Sequence, residues 1–318
     1  MKHVLVTGAT GKIGSLLIQR LSACNNVTIR AFVRNAEKAK PLITRGVELI
    51  QGTFEDTRAV RAAVDGIDLI VLITSANPNA ADQAHNMLVA ARKAGAKKVV
   101  RISVFKASVD GPTDITRLYG RTDVEIKSSG FTYTILRPLF FMQNLFFTIA
   151  DTLVKERRFY FGTGNAKLAM IDLRDIVDCA EQSIISDTYD NQIFTLTGPE
   201  SISFYDIANR LTNILGHPIQ YISVSPEIVK QSIRSMGMGD WYAEVMEDLS
   251  KAYRENWGNV KTGDVERITG HHPRSFDTFS RELFVPALKK YEPVNACNSF
   301  CYHNEQLPAN NHIGDFIK

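Results

Sequence analysis

The stretch that decides the fold is residues 3–21, HVLVTGATGKIGSLLIQRL. Its first five residues are rich in valine and leucine and predict a buried strand, while the apolar residues after the glycines recur at helical spacing. Glycines at positions 8, 11 and 14 stand between the two. In such a loop the first glycine permits a tight turn, the second lets a pyrophosphate approach the backbone, and the third allows close helix–strand packing. The stretch therefore predicts a dinucleotide-binding loop.

The start of the helix is expected to provide the phosphate contacts, because free N–H groups and the helix dipole favour an anion there. The N–H groups expected to point at the phosphates are those of Thr10, Gly11, Lys12 and Ile13. The predicted cofactor contacts of the whole loop are Gly8, Ala9, Thr10, Gly11, Lys12 and Ile13. A plain tight turn between a strand and a helix is the alternative interpretation.

The first half of the chain alternates short apolar runs with helical patterns. The predicted strands are HVLVT, VTIRAFV, VELI, DLIVLI, KVVRIS and YTILRP, and residues 80–95 and 113–129 read as crossover helices. Continuous apolar runs are typical of parallel strands buried on both faces. The pattern predicts an α/β fold with a Rossmann-type doubly wound parallel sheet.

The later part of the chain lacks this rhythm and predicts a small C-terminal α+β lobe. We expect helices at 203–216, capped by Ser203, across 226–256 and at 275–290, with a strand in PIQYISV. The predicted division is a cofactor-binding domain at 1–155, a smaller substrate-covering lobe at 200–290 and an irregular tail at 291–318. Parts of 166–200 are expected to complete the sheet.

The choice between NAD and NADP depends on the end of the second predicted strand. NAD sites carry an acidic residue there, which accepts from the ribose hydroxyls. This chain has Arg34 after Val33, and no carboxylate comes before Glu37. A guanidinium can bind a 2′-phosphate with two hydrogen bonds, and Lys38 adds charge one turn later. The sequence favours NADP(H) over NAD(H), with a solvated helix-start arginine as the alternative.

Four further cofactor contacts are predicted from topology alone, because ligands of such sheets lie beyond the carboxyl ends of the strands. Phe54 follows the third strand and is expected beside the adenine. Thr74 and Ser75 follow the fourth strand, and Ser103 follows the fifth. Ser103 is equally well explained as a strand-end serine that bonds nearby backbone.

Composition excludes several classes of protein. A net charge of +3 with dispersed basic residues gives no footprint for nucleic acid, and the longest apolar stretch, at 131–150, is broken by Arg137-Pro138 and Gln143-Asn144. The sequence shows no pattern of a secretory signal peptide. Four cysteines in 318 residues suit a reducing compartment, so we expect a cytoplasmic protein with no membrane association.

These motifs together resemble the NmrA-like branch of the atypical short-chain dehydrogenase/reductases, including quinone-oxidoreductase-like members. The stretches that carry the resemblance are VTGATGKIG, FVRN, VVRISVFKA, SSGFTYTILRPLFFMQN, AMIDLRDIVDCA, FTLTGPESISF and ITGHHPRSF. The resemblance implies a Rossmann-type sheet with a small C-terminal lobe and NADP(H) binding. It also implies that the loop of Pro138, Leu139 and Phe140 borders the nicotinamide. Relatives often show Gly-Asp-Leu after the third strand, where this chain has Gly52-Thr53-Phe54.

The usual catalytic pair of the wider dehydrogenase class is absent. That pair is a tyrosine with a lysine four residues later, whose charge makes the phenol a usable acid at neutral pH. None of the ten tyrosines has a lysine at that spacing. Tyr119 is the nearest candidate for a catalytic residue, although Asp123 stands in the place of the lysine. A helix tyrosine packed under the lobe is the alternative.

An apolar stretch after the sixth strand, LFFMQNLFF, predicts a wall for a flat substrate. Phe141 and Gln143 are assigned to this substrate pocket, with Trp241 covering it, although a core helix face explains most of the stretch. A quinone accepts hydride directly, and the enzyme then supplies positioning and exclusion of water. The main hypothesis is an NADPH-dependent oxidoreductase that transfers hydride to a small apolar or aromatic acceptor, for example a quinone.

Two other interpretations stay open at this stage. A non-catalytic NADP(H)-sensing regulator, with a protein partner, is favoured by the missing Tyr-Lys pair, whereas a sugar-nucleotide epimerase is disfavoured by it. Metal binding is not expected. His271 and His272 are adjacent and therefore point to different sides, and the C-x3-C-x-H of Cys297, Cys301 and His303 lacks a fourth ligand.

Overall fold

The structure is a computed structural model and describes residues 1–43 and 46–290. The strands, in chain order, are β1 (Lys2–Val6), β2 (Val27–Val33), β3 (Glu48–Gln51), β4 (Leu69–Leu72), β5 (Lys98–Ile102), β6 (Thr132–Pro138), β7 (Arg158–Phe161), β8 (Lys167–Leu168), β9 (Gln192–Leu196), β10 (Ile202–Ser203) and β11 (Gln220–Ser223). The helices are α1 (Lys12–Leu21), α2 (Ala36–Ile43), α3 (Thr57–Val64), α4 (Ala80–Lys93), α5 (Asp114–Ser128), α6 (Leu145–Thr148), α7 (Ala150–Glu156), α8 (Leu173–Ile185), α9 (Phe204–Leu215), α10 (Pro226–Ser235), α11 (Asp240–Arg254), α12 (Asp264–Thr269), α13 (Phe276–Phe279) and α14 (Val285–Lys289). A 3₁₀ turn lies at Met142–Asn144 and a π-helical turn at Ser280–Phe284.

One compact unit comprises residues 1–139, 173–197 and 262–273 and contains a seven-stranded parallel sheet. Its strand order is β3-β2-β1-β4-β5-β6-β9. Chain order reverses between β1 and β4, so the carboxyl ends of these two strands form the switch point where such sheets bind ligands. The six strands predicted from the sequence are all present, and the predicted Rossmann-type fold is confirmed.

The apolar runs of the sequence are explained by burial on both faces of this sheet. All four residues of β4 are buried, and the helices α3, α4 and α5 pack against one face around Leu72, Met87 and Ile126. The seventh strand, β9, was not named from the sequence, although residues 166–200 were expected to help complete the sheet. Its sequence, QIFTL, is short and half exposed, so it gives a weaker apolar signal.

The other unit comprises residues 140–172, 198–261 and 274–290 and contains two small sheets with helices. Strand β7 pairs with β11 in parallel, and β8 pairs with β10 antiparallel. Helix α9 begins as expected at Ser203, whose hydroxyl accepts from the N–H of Asp206 while the Asp206 carboxylate accepts from the N–H of Ser203. The predicted division into domains at 1–155 and 200–290 stays a prediction.

Two further expectations concern the tail and membrane association. The tail at 291–318, with Cys297, Cys301 and His303, lies outside the described residues. Among the helices of the described residues, none is long and apolar enough to cross a lipid bilayer.

Candidate functional site

The glycine loop lies at the switch point and has a backbone that larger residues would disturb. Gly8 has φ +60°, and a β-carbon there would lie 3.0 Å from Cγ2 of Ile73, just beyond β4. A β-carbon on Gly14 would lie 2.3 Å from the carbonyl oxygen of Gly8. Real contacts at such distances are repulsive, so the loop and α1 can pack this closely only with glycine at position 14.

The start of α1 differs in one respect from the expectation. Gly11 is the N-cap residue and has no side chain to cap the helix, which leaves the first turn open to a ligand. However, the N–H of Gly11 donates to the carbonyl oxygen of Gly8 at 2.9 Å. The predicted phosphate contact of Gly11 stays a prediction, since this N–H is engaged within the loop. The turn within the loop uses this donor, and the sequence pattern does not distinguish a donor used inside the loop from one left for a ligand.

Lys12 lies in the first turn of α1, half-buried beside the loop. Burial lowers the pKa of its ammonium group to about 8, because the charged form loses hydration. A phosphate in the loop would favour the charged form. Lys12 can therefore take up a proton when an anion binds, and this uptake depends on pH.

Arg34 and Lys38 are both exposed, at the position where the adenosine ribose of a dinucleotide is expected. The backbone carbonyl of Arg34 accepts from Nε2 of Gln51 at 3.3 Å, and within residues 1–43 and 46–290 its guanidinium forms no ion pair. Hydrogen bonds from Gln83 and Thr53 lower the pKa of the Glu55 carboxyl, with a smaller contribution from the charge of Arg34. Arg34 is thus available to bind a phosphate.

The loop after β3 is attached to α4 by contacts that the sequence does not predict. The Phe54 ring is half-buried, 5.6 Å from the ring of Phe32, and its carbonyl oxygen accepts from Nδ2 of Asn86 at 3.1 Å. Nε2 of Gln83 donates to Oε1 of Glu55 at 2.9 Å. These amide side chains fix the loop that carries Phe54, whose predicted position beside the adenine stays a prediction.

The end of β4 is held by side chains from two other elements. The hydroxyl of Tyr119, on α5, donates to the carbonyl oxygen of Thr74 at 3.0 Å, and Nη2 of Arg101, on β5, donates to Oγ1 of Thr74 at 3.1 Å. Thr74 is 7% exposed, whereas Ser75 is exposed and accepts through its carbonyl from Asn77. The two predicted cofactor residues therefore differ in what they can offer: Ser75 can use its hydroxyl, and Thr74 shapes the strand end.

Ser103 lies at the same edge within a buried polar network. Its hydroxyl donates to Oδ2 of Asp123 at 2.9 Å, and Arg137 binds the same oxygen through Nε at 2.9 Å and Nη2 at 2.8 Å. Burial raises the pKa of the Asp123 carboxyl, while the charges of Arg101 and Arg137 oppose this rise. The predicted cofactor contact of Ser103 stays a prediction, since its proton is already engaged.

Tyr119, the candidate catalytic residue, is 6% exposed. Its phenol proton is committed to Thr74, so donation to an acceptor requires that this bond be exchanged. The guanidinium carbon of Arg101 lies 4.7 Å from the centre of the Tyr119 ring. A cation therefore stands beside this tyrosine although no lysine follows it in sequence. Spacing along the chain alone does not detect it, because Arg101 comes from another strand.

The residues assigned to the nicotinamide end and substrate pocket have varied surroundings. Pro138 ends β6 and accepts through its carbonyl from the N–H of Phe105. Phe140 is 9% exposed and packs edge-on against Phe161, Phe204 and Tyr253 within its own unit.

The remaining pocket residues divide by exposure. Gln143 is 1% exposed, and its amide donates to Oδ1 of Asp172 at 2.8 Å. Phe141 and Trp241 are half-buried and keep part of their rings accessible. Their assignment to a substrate pocket stays a prediction, with the geometry favouring Phe141 and Trp241 over Gln143.

A group of possible metal ligands occurs where the sequence suggested none. Ligand atoms of Asp175, Asp178 and His271 lie within 4.8 Å of one another. Asp178 already forms an ion pair with Arg20 and lies 3.3 Å from Nε2 of His271. A guanidinium thus supplies the positive charge that the carboxylate attracts, which makes the group an ion-pair network.

Comparison with known proteins agrees with this geometry. The family model described as NAD(P)H-binding matches residues 8–155. An NAD(P)H azoreductase from Xenophilus azovorans is 31% identical over 278 residues, which cover 87% of this chain and 96% of that protein.

Two solved structures share the fold. The NADPH-dependent quinone oxidoreductase QOR2 from Escherichia coli, complexed with NADPH, superposes with a TM-score of 0.81 at 24% identity, covering 88% of this chain and 99% of that one. The triphenylmethane reductase of Citrobacter sp., complexed with NADP(H), gives a TM-score of 0.77 at 23% identity and covers 88% and 100%.

Proposed function

The chain belongs to the NAD(P)H-binding, NmrA-like family of atypical short-chain dehydrogenase/reductases, and on this premise we propose that it is an NADPH-dependent reductase of small aromatic acceptors. The observation that carries the proposal is the glycine loop at the switch point. Its packing excludes a β-carbon at Gly14, and it opens a helix start with no side-chain cap. That geometry suits the pyrophosphate of a dinucleotide.

The residues present fit NADPH better than NADH. Arg34 is exposed and its guanidinium is available, so it can bind a 2′-phosphate through two parallel hydrogen bonds. Lys38 adds positive charge close by. The carboxylate typical of NAD sites is absent from the end of β2, although Glu55 stands near enough to feel the charge of Arg34.

The bound cofactor supplies hydride, and the protein supplies orientation and exclusion of water. We propose an acceptor that takes hydride without a strong acid from the protein, because Tyr119 and Ser103 both use their protons in internal hydrogen bonds. Quinones and azo compounds are such acceptors. The activities of the azoreductase relative and of the quinone oxidoreductase support these two classes.

A cofactor-oxidation assay tests this proposal. Purified protein is mixed with NADPH and a panel of quinones and azo dyes, and the loss of reduced nicotinamide absorbance is followed. We expect turnover with NADPH to exceed turnover with NADH, and Arg34→Ala to remove that preference. Lys97→Ala, a change at an exposed cation on the loop that leads into β5, is the matched control and should behave like the wild type. Absence of oxidation with every acceptor would count against the reductase.

A second candidate is an NADP(H)-sensing regulator. It is favoured by the engaged protons of Tyr119 and Ser103 and by the absence of a Tyr-Lys pair. A sensor should show different proteolysis or partner capture with NADPH and with NADP⁺, and it should not oxidise NADPH. A reductase has no need of such a difference.

The domain roles and location belong to the same proposal. We assign cofactor binding to 1–155 with parts of 166–200, which include β9 of the sheet, and acceptor binding to 200–290. The described cysteines, Cys24 and Cys179, are free thiols, which supports the reducing cytoplasm as the location.

A further inference from the structure

A fully buried arginine supports the strand end beneath the glycine loop. Arg101 is 0% exposed, and its two Nη atoms reach different residues of the neighbouring strand. Nη1 donates to the carbonyl oxygen of Leu72 at 3.1 Å, and Nη2 donates to Oγ1 of Thr74 at 3.1 Å. The guanidinium thus bonds the residues on both sides of Ile73.

Ile73 is the residue on which the glycine loop rests. A β-carbon on Gly8 would lie 3.0 Å from its Cγ2 and 3.2 Å from its carbonyl oxygen, so the loop is in close contact with it. Its own backbone is fixed by Thr7, whose Oγ1 accepts from the Ile73 N–H and donates to the Ile73 carbonyl, both at 2.8 Å. Any shift of Ile73 therefore moves Gly8.

Buried arginine is a costly way to fill this space. The Asp123 carboxylate bonds Ser103 and Arg137, and Nε of Arg101 is buried without a hydrogen-bond partner among the described residues. Well-packed apolar residues often stabilise a fold as much as a buried charged group does, or more. The presence of Arg101 is thus poorly explained by stability, and its contacts lead to the loop.

We propose that Arg101 is a positioning residue for the pyrophosphate of the cofactor. The two hydrogen bonds of its guanidinium fix Leu72 and Thr74, and these residues fix Ile73 between them. Ile73 in turn sets the position of Gly8 and of the loop that follows. Tyr119 assists by binding the Thr74 carbonyl. This inference rests on the proposed NADP(H) site and adds to it a residue on β5 that lies outside the loop.

The test compares two ligands across variants of β5. Arg101→Met and Arg101→Lys are titrated with NADPH and with adenosine 2′-monophosphate, which carries the Arg34 contact but no pyrophosphate. We expect Kd for NADPH to rise about tenfold in both variants, which is the effect of losing one hydrogen bond between the loop and the charged pyrophosphate. Kd for adenosine 2′-monophosphate should stay unchanged. A lysine has one ammonium and does not span the two acceptors, so it should not rescue.

Lys98→Met is the matched control. Lys98 is a second buried cation, 6% exposed, at the amino end of the same strand. It pairs with Asp187 and Asp190. The variant also removes a buried cation from β5, but it should keep wild-type affinity for NADPH. A merely structural role of Arg101 would instead weaken both ligands, or leave both unchanged.

Several outcomes overturn the inference. They are wild-type affinity for NADPH in folded Arg101→Met, full rescue by Arg101→Lys, and equal loss of both ligands. If Arg101→Met does not fold, Arg101→Lys and Arg101→Gln decide in the same way. The reductase proposal fails by a separate result, which is wild-type protein that binds NADPH but reduces no acceptor.

Discussion

Gly14→Ala tests the central feature of the site, which is the close packing of the glycine loop on α1. The new β-carbon would stand 2.3 Å from the carbonyl oxygen of Gly8 and 2.9 Å from Cα of Ala9. Both contacts are with backbone, which cannot move aside as a flexible side chain can. Ordinary contact needs about 3.5 Å, so the loop must move by about 1 Å.

The magnitude follows from this displacement. Overpacking of this kind costs about 1–3 kcal/mol of folding free energy. A cost of 1 kcal/mol corresponds to a fall in Tm of about 2–4 °C for a domain of this size. Because the shifted carbonyl belongs to the loop, we also expect Kd for NADPH to rise at least about tenfold, equivalent to about 1.4 kcal/mol.

The assay pairs thermal unfolding with a titration followed by NADPH fluorescence. The matched control is Gly263→Ala, because Gly263 has φ −92° and a β-carbon there meets nothing within 4 Å. That variant should keep the wild-type Kd, with at most the small loss of stability that alanine causes at the N-cap of α12. If Gly14→Ala kept the wild-type Tm and Kd, the close packing of loop and helix would be refuted as the basis of the site.

Three further predictions concern other parts of the chain. Arg34→Ala should weaken NADPH binding by about 1.5–3 kcal/mol and leave NADH nearly unchanged, as measured by titration; equal losses would refute the 2′-phosphate contact. Affinity for NADPH should fall as pH rises through about 8, by up to about tenfold per unit, because Lys12 then loses the proton that a phosphate favours. Lys12→Met should flatten that profile, and a profile unchanged in the variant would exclude Lys12 as the titrating group. Ser203→Ala should lower the free energy of unfolding by about 1 kcal/mol in chemical denaturation, through loss of the α9 cap, without any change in NADPH affinity.

Local features were predictable because their causes lie within a few residues. The glycine loop, the apolar strands and the start of α9 at Ser203 each depend on neighbours in sequence, and each was located correctly. The acceptor of the Gly11 N–H could not be predicted, since loop geometry decides whether it is the Gly8 carbonyl or a ligand. Strand β9 was not predicted as a separate strand because QIFTL is short and one of its faces is partly exposed.

Contacts across the sheet could not be predicted from spacing. In the sequence, Arg101 is a charged residue in an otherwise apolar run, KVVRIS, and nothing there indicates its partners. They follow from the strand order, which places β4 beside β5, and from register, which pairs Leu72 with Arg101. No lysine follows Tyr119 at the fourth position of its helix, yet a cation from β5, Arg101, lies beside the Tyr119 ring.

The polar layer at the carboxyl edge connects fold and function. Arg101 and Arg137 face a single carboxylate, Asp123, so the layer carries more positive than negative charge in a buried region. Lower in the same sheet, the corresponding positions are apolar and form the core beneath α4 and α5. The change from apolar to charged side chains thus coincides with the edge where a dinucleotide and its acceptor are expected. Such a surplus of positive charge favours the binding of an anionic cofactor at this edge of the sheet.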